Sequence, residues 1–305
     1  MRILITGASG LLGLNLALET THRHTVFGTV HRHALKTSPF TVIQTNLLAP
    51  GAVERLLEQT QPDWVIHCAA LANLDACETD PLLAKQLNTE LPHTLASLVA
   101  RGGARLLHVS TDSVFDGLRG NYSEEDAPSP VGVYTRTKLE GELAVAKADP
   151  TAIVARVNLF GWSLTGKRSL AEFFFNNLSQ GKQVMGFTDV FFCPLLANHL
   201  ADIFVHMLEK NLNGLYHVVS PEGLSKYEFG LRLARRFNLD SSLINPTSVY
   251  DSGLKASRSP NLTLRCDKLT RTLGEPIPRL STGLDRLYTL YQQGYPQMLR
   301  SLEPS

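Results

Sequence analysis

The stretch Ile3-Leu4-Ile5-Thr6-Gly7-Ala8-Ser9-Gly10-Leu11-Leu12-Gly13 decides the fold. Three bulky apolar residues in a row read as a strand buried on both faces, as in a parallel sheet. Glycines follow at the spacing G-x-x-G-x-x-G, and Leu11 to Leu18 carry an apolar helical pattern. Strand, glycine turn and helix, in that order, are the context in which such a motif points to a dinucleotide. Glycine permits a sharp turn and close backbone approach, and the free N–H groups of a helix start hold an anion. The candidate cradle is therefore Gly7, Gly10, Leu11, Leu12 and Gly13.

Working outward, the chain alternates strands and helices. His24 to Val30 reads as a second strand and ends in Val30-His31-Arg32-His33, with no acid. An Asp or Glu at that point binds the adenosine ribose of NAD, whereas Arg makes a charge-assisted fork to a 2′-phosphate. His31 and Arg32 thus favour NADP(H), with NAD(H) second. Phe40 to Gln44 is a short third strand, and Asn46-Leu47 follows where the chain would pass the adenine. Asp63 to Ala70 is the fourth strand, and its small residues Ala69 and Ala70 suit close approach to a cofactor. Helices are expected over Ala52 to Gln59 and Pro81 to Ala100, and a fifth strand over Ala104 to Val109, running into Ser110-Thr111-Asp112-Ser113. This alternation argues a right-handed, doubly wound α/β parallel sheet of the Rossmann type, with ligands at the carboxyl ends of its strands.

A polar surface loop, Asp116 to Val133, precedes a helix opening at Val133-Tyr134-Thr135-Arg136-Thr137-Lys138. Tyr134 and Lys138 are i and i+4, so they share a helical face. Thr151 to Val157 is a sixth strand leading into Asn158. Beyond it the alternation loosens: helices are expected over Ser169 to Gln180, Ala197 to Glu209, Tyr227 to Phe237 and, last, Leu284 to Gln293. Gly214 to Val219 reads as a strand, and Ser248 to Leu264 as a polar loop. The expected division is a nucleotide-binding part over 1–160, with segments near 190–220 returning to it, and a smaller substrate part over 161–305.

With 305 residues, 43% hydrophobic and 19% charged, the chain is long and apolar enough for a large core. A net charge of +1 gives no bulk attraction to nucleic acid or to an anionic membrane. The four cysteines, Cys68, Cys77, Cys193 and Cys266, form no C-x-x-C pair, and no histidine cluster has zinc spacing. Free thiols, no metal and a cytoplasmic location are expected. A strand beginning within two residues leaves no room for a signal peptide, and no apolar run approaches the ~20 residues of a membrane span.

In order, Thr6-Gly7-x-x-Gly10-x-x-Gly13, a strand-end Thr111 and Tyr134-x-x-x-Lys138 resemble the extended short-chain dehydrogenase/reductase family. The chain is most similar within it to the dTDP-4-dehydrorhamnose reductases. Ala69-Ala70 followed by Asp75 and Glu78 resembles their A-A-x-x-x-V-D-x-x-E segment. Ser110-Thr111-Asp112-x-Val114-Phe115-Asp116-Gly117 resembles S-T-D-Y-V-F-x-G, and Arg258-x-Pro260-Asn261-x-x-Leu264 resembles R-P-x-x-S-x-L. The resemblance implies an oxidoreductase in which Thr111 polarises a sugar ketone and Tyr134 supplies the proton. Lys138 would hold the nicotinamide ribose and draw the Tyr134 pKa toward neutrality. It further implies a nucleotide-sugar substrate touched by Thr111, Asp112, Ser113, Tyr134 and Asn158; a homodimer is the further partner to be tested.

Two departures bear on the substrate. Ser113 stands where that family has Tyr, and Phe192-Cys193-Pro194-Leu195 replaces a polar G-x-P-T segment, which is expected to add an apolar wall to the sugar pocket. Other readings stay open at this point: an epimerase or dehydratase that keeps its cofactor, or a non-catalytic, NADP-bound regulatory subunit like the β subunit of methionine adenosyltransferase.

Overall fold

The computed structural model describes residues 1–36, 39–251 and 259–303. Its centre is a seven-stranded, all-parallel sheet: β1 (Arg2–Thr6), β2 (Thr25–Val30), β3 (Thr41–Gln44), β4 (Trp64–His67), β5 (Arg105–Thr111), β6 (Ile153–Val157) and a late strand, Gly214–Val218. The spatial order is β3-β2-β1-β4-β5-β6 followed by that late strand, so the first strand lies inside the sheet, flanked by β2 and β4. Placement there explains its composition. Ile3 and Ile5 point into one core, Leu4 into the other, and all three are fully buried.

Short strands fill out the second half: β7 (Leu159–Phe160), β8 (Val184–Phe187), β9 (Phe191–Phe192) and β10 (Leu195–Leu196) precede the late strand, β11. β12 (Leu224–Ser225) and β13 (Ile244–Thr247) come after it. They pair outside the main sheet, β10 with β7, β12 with β9 and β13 with β8.

The first-half helices are α1 (Leu11–Thr20), α2 (Ala52–Thr60), α3 (Leu74–Thr79), α4 (Pro81–Lys85), α5 (Leu91–Gly102) and α6 (Val133–Ala148). α2, α5 and α6 cover the face that holds Leu4, Val65, Leu106 and Val154. The second half contributes α7 (Leu170–Leu178), α8 (Ala197–Glu209), α9 (Lys226–Arg236), α10 (Asp267–Leu273), α11 (Leu280–Gln292) and α12 (Tyr295–Ser301). α1 and α8 pack together on the other face.

Three expectations are corrected. The long helix over Pro81 to Ala100 is interrupted by a π-turn at Gln86–Glu90 between α4 and α5. Pro92 is the cause: it has no N–H to bond the Asn88 carbonyl, so the helical ladder fails there. The freed Asn88 carbonyl comes against Gly141 of α6, where any Cβ would collide with it. The last helix is α12, not the segment ending at Gln293, because Gly294 turns the chain at φ +75° and Pro296 starts a new helix. The strand expected to reach Ala70 ends at His67; Cys68 and Ala69 instead donate their N–H groups to the Thr6 hydroxyl, both at 3.2 Å.

Candidate active site

The carboxyl ends of β1, β2, β4 and β5 open on one side of the sheet. Gly7 leaves β1 with φ +73°, and a Cβ there would sit 3.0 Å from the Ala69 backbone. Gly10 caps α1 without a side chain, and the first turn carries no acid. At Gly13 a Cβ would collide with the Gly7 carbonyl oxygen. Each glycine therefore answers a contact or a backbone angle, and together they form a bare cradle at a helix N-terminus, which fits a pyrophosphate. Gly13→Ala is expected to lose about 1–3 kcal/mol of stability through forced backbone movement, read as a lower thermal midpoint.

Around the cradle, His31 and Arg32 are exposed just beyond β2, with the His31 carbonyl held by Gln44 Nε2 at 3.1 Å. Asn46 is exposed, and its Oδ1 accepts the Leu48 N–H at 3.1 Å; Leu47 packs on the second core. Ala69 and Ala70 stand half-buried and exposed after β4.

Thr111 closes β5, and its Oγ1 accepts the Ser113 N–H and donates to Asp112 Oδ1, both at 3.1 Å. Tyr134, in the first turn of α6, is half-buried, and the Thr111 hydroxyl is among the groups that act on its phenol. Asp112 is buried, and its Oδ2 accepts Asn158 Nδ2 at 2.5 Å, tying the ends of β5 and β6 together. Burial raises the Asp112 pKa, against the hydrogen bonds from Asn158, Thr111 and Ser113 that lower it. The side chains of Asp112 and Asn158 thus first serve each other.

Lys138 lies one turn along α6, buried, with Nζ donating to the Val109 carbonyl at 2.7 Å. The expected tuning of Tyr134 is corrected here. Burial pushes its phenol up to about 12, only partly offset by the Thr111 hydrogen bond, while the Asp112 charge adds to the rise. Tyr134 therefore keeps its proton at neutral pH. Burial lowers Lys138 instead, to about 8, with Glu142 and Cys68 working against the fall.

The start of α6 is held from outside. Gly132 has no side chain to offer, so Glu78 Oε1 from α3 accepts the Val133 N–H at 2.8 Å. Deeper in α6, Glu142 forms a buried, forked ion pair with Arg156 of β6. No motif in the sequence announces Arg156, Glu142, His67 or His108. The available signal was a polar residue inside an apolar strand, as in Trp64-Val65-Ile66-His67 and Leu106-Leu107-His108-Val109. A cleft of about 460 Å³ lies elsewhere, at the far end of α1 by Glu19, His24 and His199, and shares no residue with this site.

The RmlD substrate binding domain family matches residues 1–293. The chain belongs to that family. Among relatives, methionine adenosyltransferase 2 subunit beta of Mus musculus is 35% identical over 296 residues, covering 93% of this chain and 86% of that one. A probable low-salt glycan biosynthesis reductase of Haloferax volcanii is 31% identical over 294 residues, 94% of this chain and 97% of that one. Among solved structures, a dTDP-4-dehydrorhamnose reductase from Clostridium acetobutylicum superposes with TM-score 0.83 at 26% identity, over 96% of this chain and all of that one.

Against the RmlD-like pattern the departures behave differently from each other. Ser113 is half-buried beside Thr111, with Oγ donating to Asp112 Oδ1 at 3.2 Å. Phe192 and Cys193 build no open wall: both are buried in the main core, Phe192 against Phe229 and Cys193 against the Leu264 carbonyl. Phe192 pairs with Leu224 where β9 meets β12, and Phe191 beside it pairs with Ser225. Arg258 of the C-terminal motif falls outside the described residues, whereas Asn261 hydrogen-bonds Thr263 and Leu264 bridges to Tyr122.

Proposed function

We propose that the chain is an NADP(H)-dependent oxidoreductase that reduces a nucleotide-linked 4-keto-6-deoxyhexose, dTDP-4-dehydrorhamnose or a relative, to the alcohol. One observation carries this reading: Thr111 and the first turns of α6 bring a hydroxyl, a protonated phenol and an ammonium to the strand ends that hold the glycine cradle. The reductases among the relatives and solved structures support it. When bound, the nicotinamide supplies the hydride. Thr111 would hydrogen-bond the ketone oxygen, Tyr134 would donate its proton to that oxygen, and Lys138 would hold the cofactor ribose. The nucleotide-binding part would be residues 1–160 with β11, and the rest would form the sugar side. A cytoplasmic location belongs to the same reading and is supported by four free thiols.

The test is NADPH oxidation against dTDP-, GDP- and UDP-linked 4-keto-sugars, with turnover of at least one expected. Exposed Arg32 is the residue for the 2′-phosphate, so Arg32→Ala should weaken NADPH about 10–100-fold and leave NADH nearly unchanged. Equal losses for both cofactors would take Arg32 out of that role. A second reading has its own support, the 35% identity to the methionine adenosyltransferase subunit. Tight NADPH binding with no turnover of any 4-keto-sugar would favour a non-catalytic subunit.

A further inference from the structure

Beneath Lys138 the sheet carries a polar row that neither the cradle nor the Thr111–Tyr134 pair uses. Thr6, His67 and His108 are register partners on β1, β4 and β5. They lie one position beyond Ile5, Ile66 and Leu107, whose side chains face the opposite core, so all three point to the α6 face. All three are buried, and the two imidazoles stack with centroids 5.3 Å apart at 24°. Lys138 Nζ lies 3.4 Å from His108 Nε2.

The hydrogen bonds fix the tautomers. Thr6 Oγ1 accepts two backbone N–H groups, Cys68 and Ala69, which occupies both lone pairs. Its own proton therefore goes to His67 Nδ1 at 2.7 Å, and His67 carries its proton on Nε2. An ammonium has donors only, so His108 must present a bare Nε2 to Lys138 and carry its proton on Nδ1. Neither of those ring N–H groups, His67 Nε2 and His108 Nδ1, finds a partner. An orphaned buried donor costs stability, so this stack is not the arrangement that packing alone would favour.

We infer that His108 is a positioning residue for Lys138: its neutral ring is the side-chain acceptor that, with the Val109 carbonyl, holds two of the three ammonium protons. The third is left for a ligand. This rests on the cofactor-holding role of Lys138 proposed above. The surrounding groups leave the titration to Lys138. Burial first, and the Lys138 charge second, hold His67 down at about 3 and His108 well below its ordinary value. Cys68, raised to about 12 by burial, stays a thiol. From α6 itself come Tyr134, a neutral phenol, and Glu142, which favours the ammonium and is held by Arg156 of β6. Asp112 acts on Tyr134, and the π-turn meets this part of α6 through uncharged Asn88 and Thr89.

His108→Leu removes the acceptor, which destabilises the ammonium, so the Lys138 midpoint should fall by about one pH unit. His108→Gln restores an acceptor oxygen near the Nε2 position and should bring the midpoint back. The readout is the ¹⁵N resonance of Lys138 Nζ against pH in lysine-labelled protein, assigned with Lys138→Met; it needs neither substrate nor turnover. NADPH affinity, measured in parallel, should fall with rising pH along a basic limb displaced by the same amount. A His108→Leu midpoint equal to wild type, with both variants merely melting earlier, would make His108 ordinary packing and overturn the inference. If His108→Leu does not fold, His108→Met takes its place with the same expected shift. Wild-type protein that fails to bind NADPH would sink the proposed function while the Nζ titration still decided the role of His108.

Discussion

Replacing Tyr134 by Phe is expected to lower turnover of the 4-keto-sugar by about 10²–10⁴-fold, the range for loss of a positioned general acid. NADPH affinity should stay nearly constant, because the ring remains in place on α6 and Lys138 keeps its bonds. The direction of the Tyr134 shift sharpens the test. With its pKa raised to about 12 by burial, the phenol is protonated across the neutral range and stands ready to donate. Its ionisation therefore contributes no limb to a pH profile below about pH 10. The limb that does appear should belong to Lys138, which burial lowers to about 8. The charged form is the one that would grip the ribose, so cofactor binding should weaken as pH rises through about 8. Thr111 should retain its bond to Asp112 in the variant, so melting temperature should move little. Near-normal turnover in Tyr134→Phe would remove Tyr134 from the mechanism.

How far the sequence could be read depends on whether each feature is local. The strand, glycine turn and helix over residues 3–18 are local, and the structure matches them because burial on both faces demands an unbroken apolar run. Tyr134 and Lys138 were legible for the same reason, since an i, i+4 spacing needs only that α6 exist. The π-turn was hidden behind a leucine pattern that continues across it; its cause, Pro92, is in plain view, but its consequence is a close approach of the Asn88 carbonyl to Gly141, far away along the chain. Phe192 and Cys193 read as a pocket wall because position relative to the family motif was the only guide. Phe192 is buried through its pairing with Leu224 and Cys193 through its contact with the Leu264 carbonyl, partners that no local pattern announces. Charge partners were the least legible. His67 and His108 look like accidents within apolar strands until their register places them side by side, and Glu142 is one of two acids on its helix until Arg156 is opposite it.

That last pair carries the largest expected effect on stability. Arg156→Met should destabilise the fold by about 3–5 kcal/mol, because it leaves the Glu142 carboxylate buried without its counter-charge. Arg156 Nε lies 3.0 and 3.2 Å from the two Glu142 oxygens and Nη2 lies 2.7 Å from one of them, so the fork is complete. The guanidinium also sits 5.0 Å from the Phe115 ring centroid, a stacking contact that Met replaces only in part. Replacing both partners, Arg156→Met with Glu142→Leu, should recover much of the loss, since desolvation of two ions is then no longer required. Recovery of stability should not bring full recovery of function. Glu142 favours the Lys138 ammonium, so without it burial acts with less opposition and the Lys138 pKa falls further. The double variant should therefore resist urea nearly as well as wild type and yet bind NADPH more weakly at pH 8, with the deficit closing as pH falls. Urea unfolding and NADPH titrations at pH 6 and 8 measure the two effects separately. A double variant as unstable as Arg156→Met would show that Arg156 stabilises by its packing on Phe115. One that binds NADPH as wild type at pH 8 would disconnect Glu142 from Lys138.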